Sequence, residues 1–453
     1  MTTAELDKKI AALLFVLFSI LYVSTVTKGD DGYNGASRLA LVQAIVEQHT
    51  FSIDQSLYTP LTKDRAYVRG HYYTDKAPGQ SLSAVPLYWV LYHLGISFAK
   101  HRGIAEELLK IPFALLAALV PMLFFAISKS YAPKQRVRLL VALALGAGTG
   151  IFFLSGVFFS HASAAAFLLI SFYFTLRARE NTNWFWLSGA AGGTAFFFEY
   201  PALFLAIAIH LNYLSQQRRM EIGKAILAAL PFVVCVLALN FQITGNPLDF
   251  PYYHTGDWPG SPLPVNSNRF ELGHVTFQYA AQMFFFGQSF PRAHNYDNYF
   301  QGLFLYSPFL LLGLFFSRKE HVILLLGCLA VALLYLGSVV DDAVGGCTFS
   351  NRYLVITLPF LALPALQLVQ HWPKAFAIAA GASIAMNFIG ATTVPLSCAR
   401  FPLGEAITYL PAYLPALLRH AAMLSAFAII PFVFFPSIAR KGEEVIRVLS
   451  ARS

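Results

Sequence analysis

Three short polar stretches carry the residues that could do chemistry, and the first holds two adjacent carboxylates. Asp30 and Asp31 come shortly after the apolar run from Ile10 to Val26, in the segment that begins at Lys28. Adjacent carboxylates at the mouth of a helix can take a proton from a substrate or bind a divalent cation. The alternative is a solvated helix end without any chemistry. The residues alone leave these possibilities open.

The second stretch joins a carboxylate to an ammonium group. Asp75 and Lys76 precede Ala77-Pro78-Gly79 and then a new apolar run. We therefore expect both charges at the boundary between lipid and water. Lys76 could meet a lipid phosphate there as a point charge, or it could serve only as an interfacial anchor.

The third stretch ends in Arg352, which opens another apolar run. An arginine at such a boundary suits a phosphate in a partly buried site, and pairing with Asp341 or Asp342 is the alternative. Two further ionisable residues, His161 and Glu199, fall at short turns between paired apolar runs. No His/Cys spacing resembles a zinc site, and no phosphate-cradling glycine motif is present.

The composition shows which elements must position these residues. Of 453 residues, 57% are hydrophobic and only 12% are charged, against about 25% charged in a typical soluble domain. This excludes an ordinary cytosolic enzyme, a disordered protein and a nucleic-acid-binding domain. The apolar residues come in repeated runs of membrane-spanning length, which predicts a polytopic membrane protein.

The net charge of +9 comes from short basic loops beside apolar runs and from a basic tail. That placement is the positive-inside signal of membrane proteins, and it explains the charge without any nucleic-acid partner. It also places the first apolar run as a signal anchor and the segments 28–81 and 243–300 outside. We expect membrane lipids around the rest of the chain.

We predict an all-α transmembrane helical bundle of about 11–13 spans, forming one domain over residues 1–453 with no soluble C-terminal domain. The loop 28–81 should contain an amphipathic helix over Asn34–Gln48 that lies at the membrane surface. Seven apolar runs separate the two outside segments where an even number is required. We suspect the region 82–127, which Pro86 and Pro112 interrupt. Cys347 and Cys398 fall in loops on the same outer side, where a disulfide between them is possible.

Three motifs resemble the GT-C superfamily of integral-membrane glycosyltransferases, especially the bacterial polyprenyl-phosphate-dependent group related to protein mannosyltransferases and aminoarabinose transferases. With the layout of the apolar runs, the likeness covers most of the chain. The motifs are moderately specific to the superfamily and give almost no information about the substrate. They are Asn34-Gly35-Ala36-Ser37-Arg38-Leu39 with Gln48 to Asp54 and Tyr72 to Gly79; Gln301 to Pro308; and Gly345-Gly346 with Asn351 to Leu354 and Leu358-Pro359-Phe360.

The resemblance implies transfer of a sugar from a polyprenyl-phosphate donor on the periplasmic or extracellular face of the bacterial cytoplasmic (inner) membrane. In that family an acidic residue at the start of the first outside loop acts as base or metal ligand. Here Asn34 falls near its place, so Asp31, Asp30 or Asp75 would take the role. The same likeness links Lys76 and Arg352 with the donor phosphate.

The resulting hypothesis is an inverting displacement in which one of these aspartates deprotonates the acceptor hydroxyl. No cofactor is required, although a divalent cation (Mg²⁺ or Mn²⁺) is possible because carboxylates suit it. The acceptor, whether glycan, lipid or protein, is not specified by the sequence. The rivals are a transporter or lipid flippase, which explains the apolar runs equally well, and a non-catalytic scaffold or polymer-length regulator.

Overall fold

The computed structural model describes residues 2–27, 29, 31–216, 222–260, 270–286, 302–338 and 348–393, together with 403, 404, 407, 408 and 411. The predictions on Asp30, on a disulfide between Cys347 and Cys398, and on the pairing of Arg352 with Asp341 or Asp342 lie outside these residues.

The described chain is built almost entirely of helices. Those of the first half are α1 Thr3–Ser24, α2 Gly32–Gln48, α3 Gly79–His93, α4 Phe98–Ile127, α5 Gln135–Ala147, α6 Gly150–Ser155, α7 His161–Arg177, α8 Trp184–Phe198 and α9 Ala202–Gln216. Those that follow are α10 Ile222–Thr244, α11 Phe277–Ala281, α12 Leu303–Tyr306, α13 Pro308–Leu314, α14 Val322–Gly337, α15 Leu358–Leu361, α16 Ala365–His371 and α17 Pro373–Thr393. Short 3₁₀ helices include Pro251–His254 and Arg352–Thr357.

The helices confirm the predicted all-α membrane fold. Among the described residues, four helices are long and apolar enough to cross a membrane, or up to five if the bent pair Arg352–Leu361 and Ala365–His371 is one span. Helix α10 is one of them, and it leaves large apolar side chains such as Val234 and Phe241 exposed, as a lipid-facing helix does. Other apolar helices, such as α9, are shorter than a full span, so the total of 11–13 stays a prediction.

The region around Pro86 and Pro112 differs from the expectation in one respect. Helix α4 passes through Pro112 and is long enough to cross a membrane, so this proline does not interrupt a span. A proline inside a helix removes one backbone hydrogen bond, and surrounding protein can compensate for that loss. Helix α3, which contains Pro86, has only 15 residues and is the shorter element of this region.

Helix α2 lies where the sequence predicts a helix and begins two residues earlier. The polar side, however, is not solvated: Arg38 and Gln43 are buried in the protein. A polar stripe can face protein instead of water when every charged group on it finds a partner. Helix α2 therefore carries polar groups into the interior, where they can build a site.

A two-stranded antiparallel hairpin follows α2 and has no counterpart among the predictions. Strand β1, Arg65–Val68, pairs with β2, His71–Thr74, in a register that sets Arg65 opposite Thr74. Arg69 and Gly70 form the turn, both with positive φ (53° and 87°). A two-residue type I′ turn requires positive φ at both positions. The hairpin delivers the segment that holds Asp75 and Lys76.

Candidate functional site

The hairpin places two carboxylates on either side of one ammonium group. Extending the strand register by one pair sets Asp64 opposite Asp75. Like charges opposite each other destabilise a hairpin, and here Lys76 lies between them. Its Nζ is 2.9 Å from Asp64 Oδ2 and 3.0 Å from Asp75 Oδ2. The side chains are 24%, 1% and 13% exposed for Asp64, Asp75 and Lys76.

The three charges shift one another's pKa in different directions. Burial raises the pKa of Asp75 above its usual range; Lys76 opposes this shift and the negative charge of Asp64 adds to it. For Asp64, burial is outweighed by the nearby Lys76 and Arg352, so its pKa is lowered. The two carboxylates likewise outweigh the effect of burial on Lys76 and raise its pKa. The ammonium group is therefore charged near neutral pH.

The side chain of Asp75 is also held by the segment that follows α10. Thr255 donates to Asp75 Oδ2 at 3.1 Å, while Ser37 donates to Asp75 Oδ1 only at 3.4 Å. A β-bridge between Ala66 and Thr255 attaches this segment to the hairpin. His254, beside it, is hydrogen-bonded to Asp249 at 2.9 Å and Asp257 at 3.0 Å. One oxygen of Asp75 is thus held firmly, and the other has a single long contact among the residues that the structure describes.

Arg38 of α2 connects the segment that holds Asp75, Lys76 and Ala77 to the rest of the bundle. Its guanidinium donates to the backbone oxygen of Ala77 at 3.1 Å and to Glu199 Oε1 at 3.1 Å. Glu199 follows α8 and also accepts a hydrogen bond from Ser160. Burial raises the pKa of Glu199, but the neighbouring His161 and Arg38 outweigh this effect, so the pKa is lowered. Arg38 and Glu199 form a buried pair of opposite charges, which is tied to the segment of Lys76 through the backbone oxygen of Ala77.

Arg352 is buried near the charges around Lys76. Its guanidinium packs over the rings of Phe159 and Tyr353, at 5.5 and 5.3 Å from their centroids. It is close enough to Lys76 and Asp64 for their charges to interact. Its buried Nε has no hydrogen-bond partner in the described part of the chain. A buried donor left this way can bind a ligand oxygen.

Asp31 belongs to a second buried ion pair, with Lys110 of α4. Asp31 Oδ1 accepts from Lys110 Nζ at 2.9 Å and from Thr27 Oγ1 at 2.6 Å, and Oδ2 accepts from the Phe158 amide at 2.5 Å. Burial raises the pKa of Asp31, and Lys110 opposes that shift. Both oxygens of this carboxylate are therefore engaged within the protein.

The segment Phe158–His161 links the Asp31–Lys110 ion pair to the group of charges around Lys76, which includes Arg352 and Glu199. The Phe158 amide binds Asp31, the Phe159 ring lies against Arg352, and Ser160 binds Glu199. The structure thus brings Asp75 and Lys76 into contact and Arg352 within electrostatic range of them. Asp31 sits in the neighbouring pair. Asp64, Arg38 and Lys110 were not among the predicted site residues.

A small cavity lies beside Lys76. It has a volume of about 30 Å³ and is lined by Lys76 and mainly apolar side chains, such as Leu82 of α3 and Val236 and Leu239 of α10. Helix α10, whose other side is exposed and apolar, therefore forms one wall of this cavity. The arrangement sets a cation against an apolar surface, as recognition of a lipid phosphate would require.

The described residues do not form a metal site. No three His, Cys, Asp or Glu side chains converge among the residues that the structure describes. Asp64 and Asp75, which could share a cation, instead share the ammonium group of Lys76. The divalent cation stays a prediction.

The helical architecture shares its fold with a solved structure of ArnT, in agreement with the fold that the sequence resemblance predicted. Among solved structures the chain is similar to ArnT from Cupriavidus metallidurans bound to undecaprenyl phosphate. That comparison has 14% identity and a TM-score of 0.52, and it covers 94% of this chain and 72% of that chain. The apo state of ArnT gives 14% identity and a TM-score of 0.48, covering 84% and 63%. No protein-family model and no curated protein sequence matches this chain.

Proposed function

We propose that this protein is a membrane glycosyltransferase that moves a sugar from a polyprenyl-phosphate-linked donor to a hydroxyl acceptor. The observation that carries the proposal is the convergence of Lys76, Arg352 and Asp75 beside an apolar surface of the helical bundle. The GT-C fold agrees with it, and the related ArnT structure contains undecaprenyl phosphate. The reaction would take place at the outer face of a bacterial inner membrane, where the positive-inside pattern puts both outside loops.

The cations supply the donor-phosphate site in this proposal. Lys76 acts as a point charge, and Arg352 offers a planar guanidinium with an unpaired buried Nε among the described contacts. Charge-assisted hydrogen bonds to phosphate are stronger than neutral ones. The cavity holds about one water-sized group, so most of the lipid chain would lie along the exposed apolar side of α10.

We assign the general base to Asp75. Within the described part of the chain, Oδ1 of Asp75 has only the 3.4 Å contact with Ser37, so it can accept the proton of a hydroxyl group. Burial raises the pKa of Asp75, which makes it a stronger base than an exposed aspartate. Asp31 has both oxygens engaged by strong donors, one of them the charged Lys110. Asp30, the third predicted candidate, lies outside the described residues.

The reaction balances as a single displacement. The acceptor oxygen forms a bond to the anomeric carbon, its proton passes to Asp75, and the bond from that carbon to the phosphate oxygen breaks. The electron pair leaves with the polyprenyl phosphate, whose charge Lys76 and Arg352 stabilise. Attack opposite to the leaving group inverts the configuration at the anomeric carbon. General-base assistance of this kind contributes about 10²- to 10⁴-fold in rate.

A transfer assay with matched variants tests the proposal. Purified protein in liposomes receives labelled polyprenyl-phosphate sugar and a membrane extract as the source of acceptor. We expect a labelled product with the wild type and a loss of about 10²- to 10⁴-fold with Asp75→Asn. Lys76→Ala should raise the donor KM. Asp54→Asn is the control, because Asp54 pairs with His71 on the same hairpin, away from Lys76.

Three outcomes would contradict parts of the proposal. Wild-type transfer in Asp75→Asn, with loss in Asp31→Asn at equal amounts of folded protein, would move the base to Asp31. An unchanged donor KM and turnover in Lys76→Ala would remove the phosphate role. Movement of intact donor across the bilayer without sugar transfer would favour a flippase.

A further inference from the structure

Asp64 occupies a place that the proposed chemistry does not use. It ends the loop before β1, and its Oδ2 lies 2.9 Å from Lys76 Nζ. Asp75, on the other side of the same ammonium group, is buried and also bound by Thr255. Asp64 is the more exposed of the two and contacts solvent. It is therefore the carboxylate that can move away from Lys76 with least disturbance.

The charges around Lys76 balance before any donor arrives. Lys76 and Arg352 are positive, Asp64 and Asp75 are negative, and Arg38 and Glu199 neutralise each other. A phosphate brought to Lys76 adds negative charge next to two carboxylates. Like charges at such distances repel strongly in a partly buried site. Binding therefore requires that one carboxylate withdraws or takes up a proton.

We propose that Asp64 is an internal counter-ion that competes with the donor phosphate for Lys76. The inference rests on the proposed function and deepens it. When the donor binds, Asp64 leaves Lys76 to the phosphate and turns to solvent, while Asp75 stays in place as the base. After transfer, Asp64 returns to Lys76 and helps to displace the polyprenyl phosphate product. Asp64 thereby lowers affinity for the donor and speeds release of the product.

This role predicts an unusual variant. Asp64→Asn removes the competing charge and keeps the shape of the side chain. It should bind a polyprenyl monophosphate about three- to tenfold more tightly, the range expected when a partly exposed charge–charge contact is lost. Its donor KM should fall, its turnover number should fall with slower product release, and inhibition by added polyprenyl monophosphate should strengthen. A merely structural residue would instead lower stability or weaken binding.

The experiment measures binding of a short-chain polyprenyl monophosphate to the full-length protein in nanodiscs. Asp54→Asn should bind it like the wild type. In a Lys76→Ala background, Asp64→Asn should lose most of its gain, because the effect passes through Lys76. Asp64→Ser should give the same shift and serves if the amide disturbs the hairpin. A thermal unfolding curve for each variant confirms that it is folded.

Two results would overturn the inference, each at a different level. Unchanged or weaker binding by folded Asp64→Asn and Asp64→Ser, with a wild type that binds the phosphate, refutes the counter-ion role and leaves the proposed function intact. A wild type that binds polyprenyl monophosphate no better than polyprenol of equal chain length refutes the phosphate site itself. The counter-ion role then falls with it.

Discussion

The ion pair between Lys110 and Asp31 offers a sharp test of how the site is held. Lys110 lies in α4, and its side chain is 0% exposed. Its Nζ donates to the backbone oxygens of Thr27 and Gly29, to Thr27 Oγ1 and to Asp31 Oδ1, at 2.7 to 3.0 Å. Lys110→Met keeps the length and packing of the side chain and removes the charge together with these donors.

The structure sets the size of the effect. Without Lys110, the buried carboxylate of Asp31 has no counter-charge beside it among the residues that the structure describes, and the backbone oxygens of Thr27 and Gly29 lose a donor. Breaking a buried ion pair by removal of one partner costs about 3–5 kcal/mol. The double variant Asp31→Asn with Lys110→Met removes both charges of this pair and should recover a large part of this loss. For a chain of this size the single variant should lower the unfolding temperature by on the order of 5 °C.

The assay is thermal unfolding in detergent, read as the temperature of half loss of folded protein at a fixed scan rate. Lys100→Met is the control, because Lys100 lies on the same helix and is exposed. A single variant as stable as the wild type would refute the reasoning. So would a double variant that is as unstable as Lys110→Met alone.

Further predictions concern the pH profile, the phosphate contact and the packing of α3. The value of kcat/KM should fall as the pH is lowered, because the base must be ionised. The apparent pKa of this fall should lie above the usual value of about 3.9 for aspartate, because burial raises the pKa of Asp75. Asp64→Asn should lower the apparent pKa of this acidic fall in kcat/KM, since the charge of Asp64 raises the pKa of Asp75. A higher apparent pKa in the variant would contradict this reasoning. Arg352→Lys should raise the donor KM several-fold in steady-state kinetics, because an ammonium group cannot stack and fork as a guanidinium does. Gly79→Ala should lower the unfolding temperature, since its Cβ would lie 2.6 Å from a backbone oxygen of α8, whereas Gly103→Ala meets nothing within 4 Å and should not.

The sequence supports prediction of the fold class and of those site residues that mark a membrane boundary. Asp75, Lys76 and Arg352 each stand where a polar stretch meets an apolar run, so hydropathy marks them as candidates, while their roles stay predictions. The all-α architecture follows from the same runs and is confirmed. The exact span count does not follow, because helices such as α3 and α8 are shorter than a full span and their apolar runs do not show where they end.

Residues that depend on strand register or on distant partners could not be found in this way. Asp64 becomes part of the site only through the hairpin, and the sole local signal is the Arg69-Gly70 turn between two short stretches rich in aromatic and β-branched residues. Arg38 meets Glu199 across 161 positions of sequence, so a local pattern assigns it to a solvated helix face. Lys110 could have been suspected, because a charged residue inside an apolar run usually has a buried partner.

The most direct measurement of the central claim follows the fate of a donor labelled in both its sugar and its phosphate. The donor is incubated with the wild type in liposomes and an acceptor-containing membrane extract, and the products are separated. We predict that the two labels separate: the phosphate label is found on free polyprenyl phosphate, and the sugar label is found on a new product. Labels that remain together on the lipid at all times, whether or not it crosses the bilayer, would contradict a glycosyltransferase.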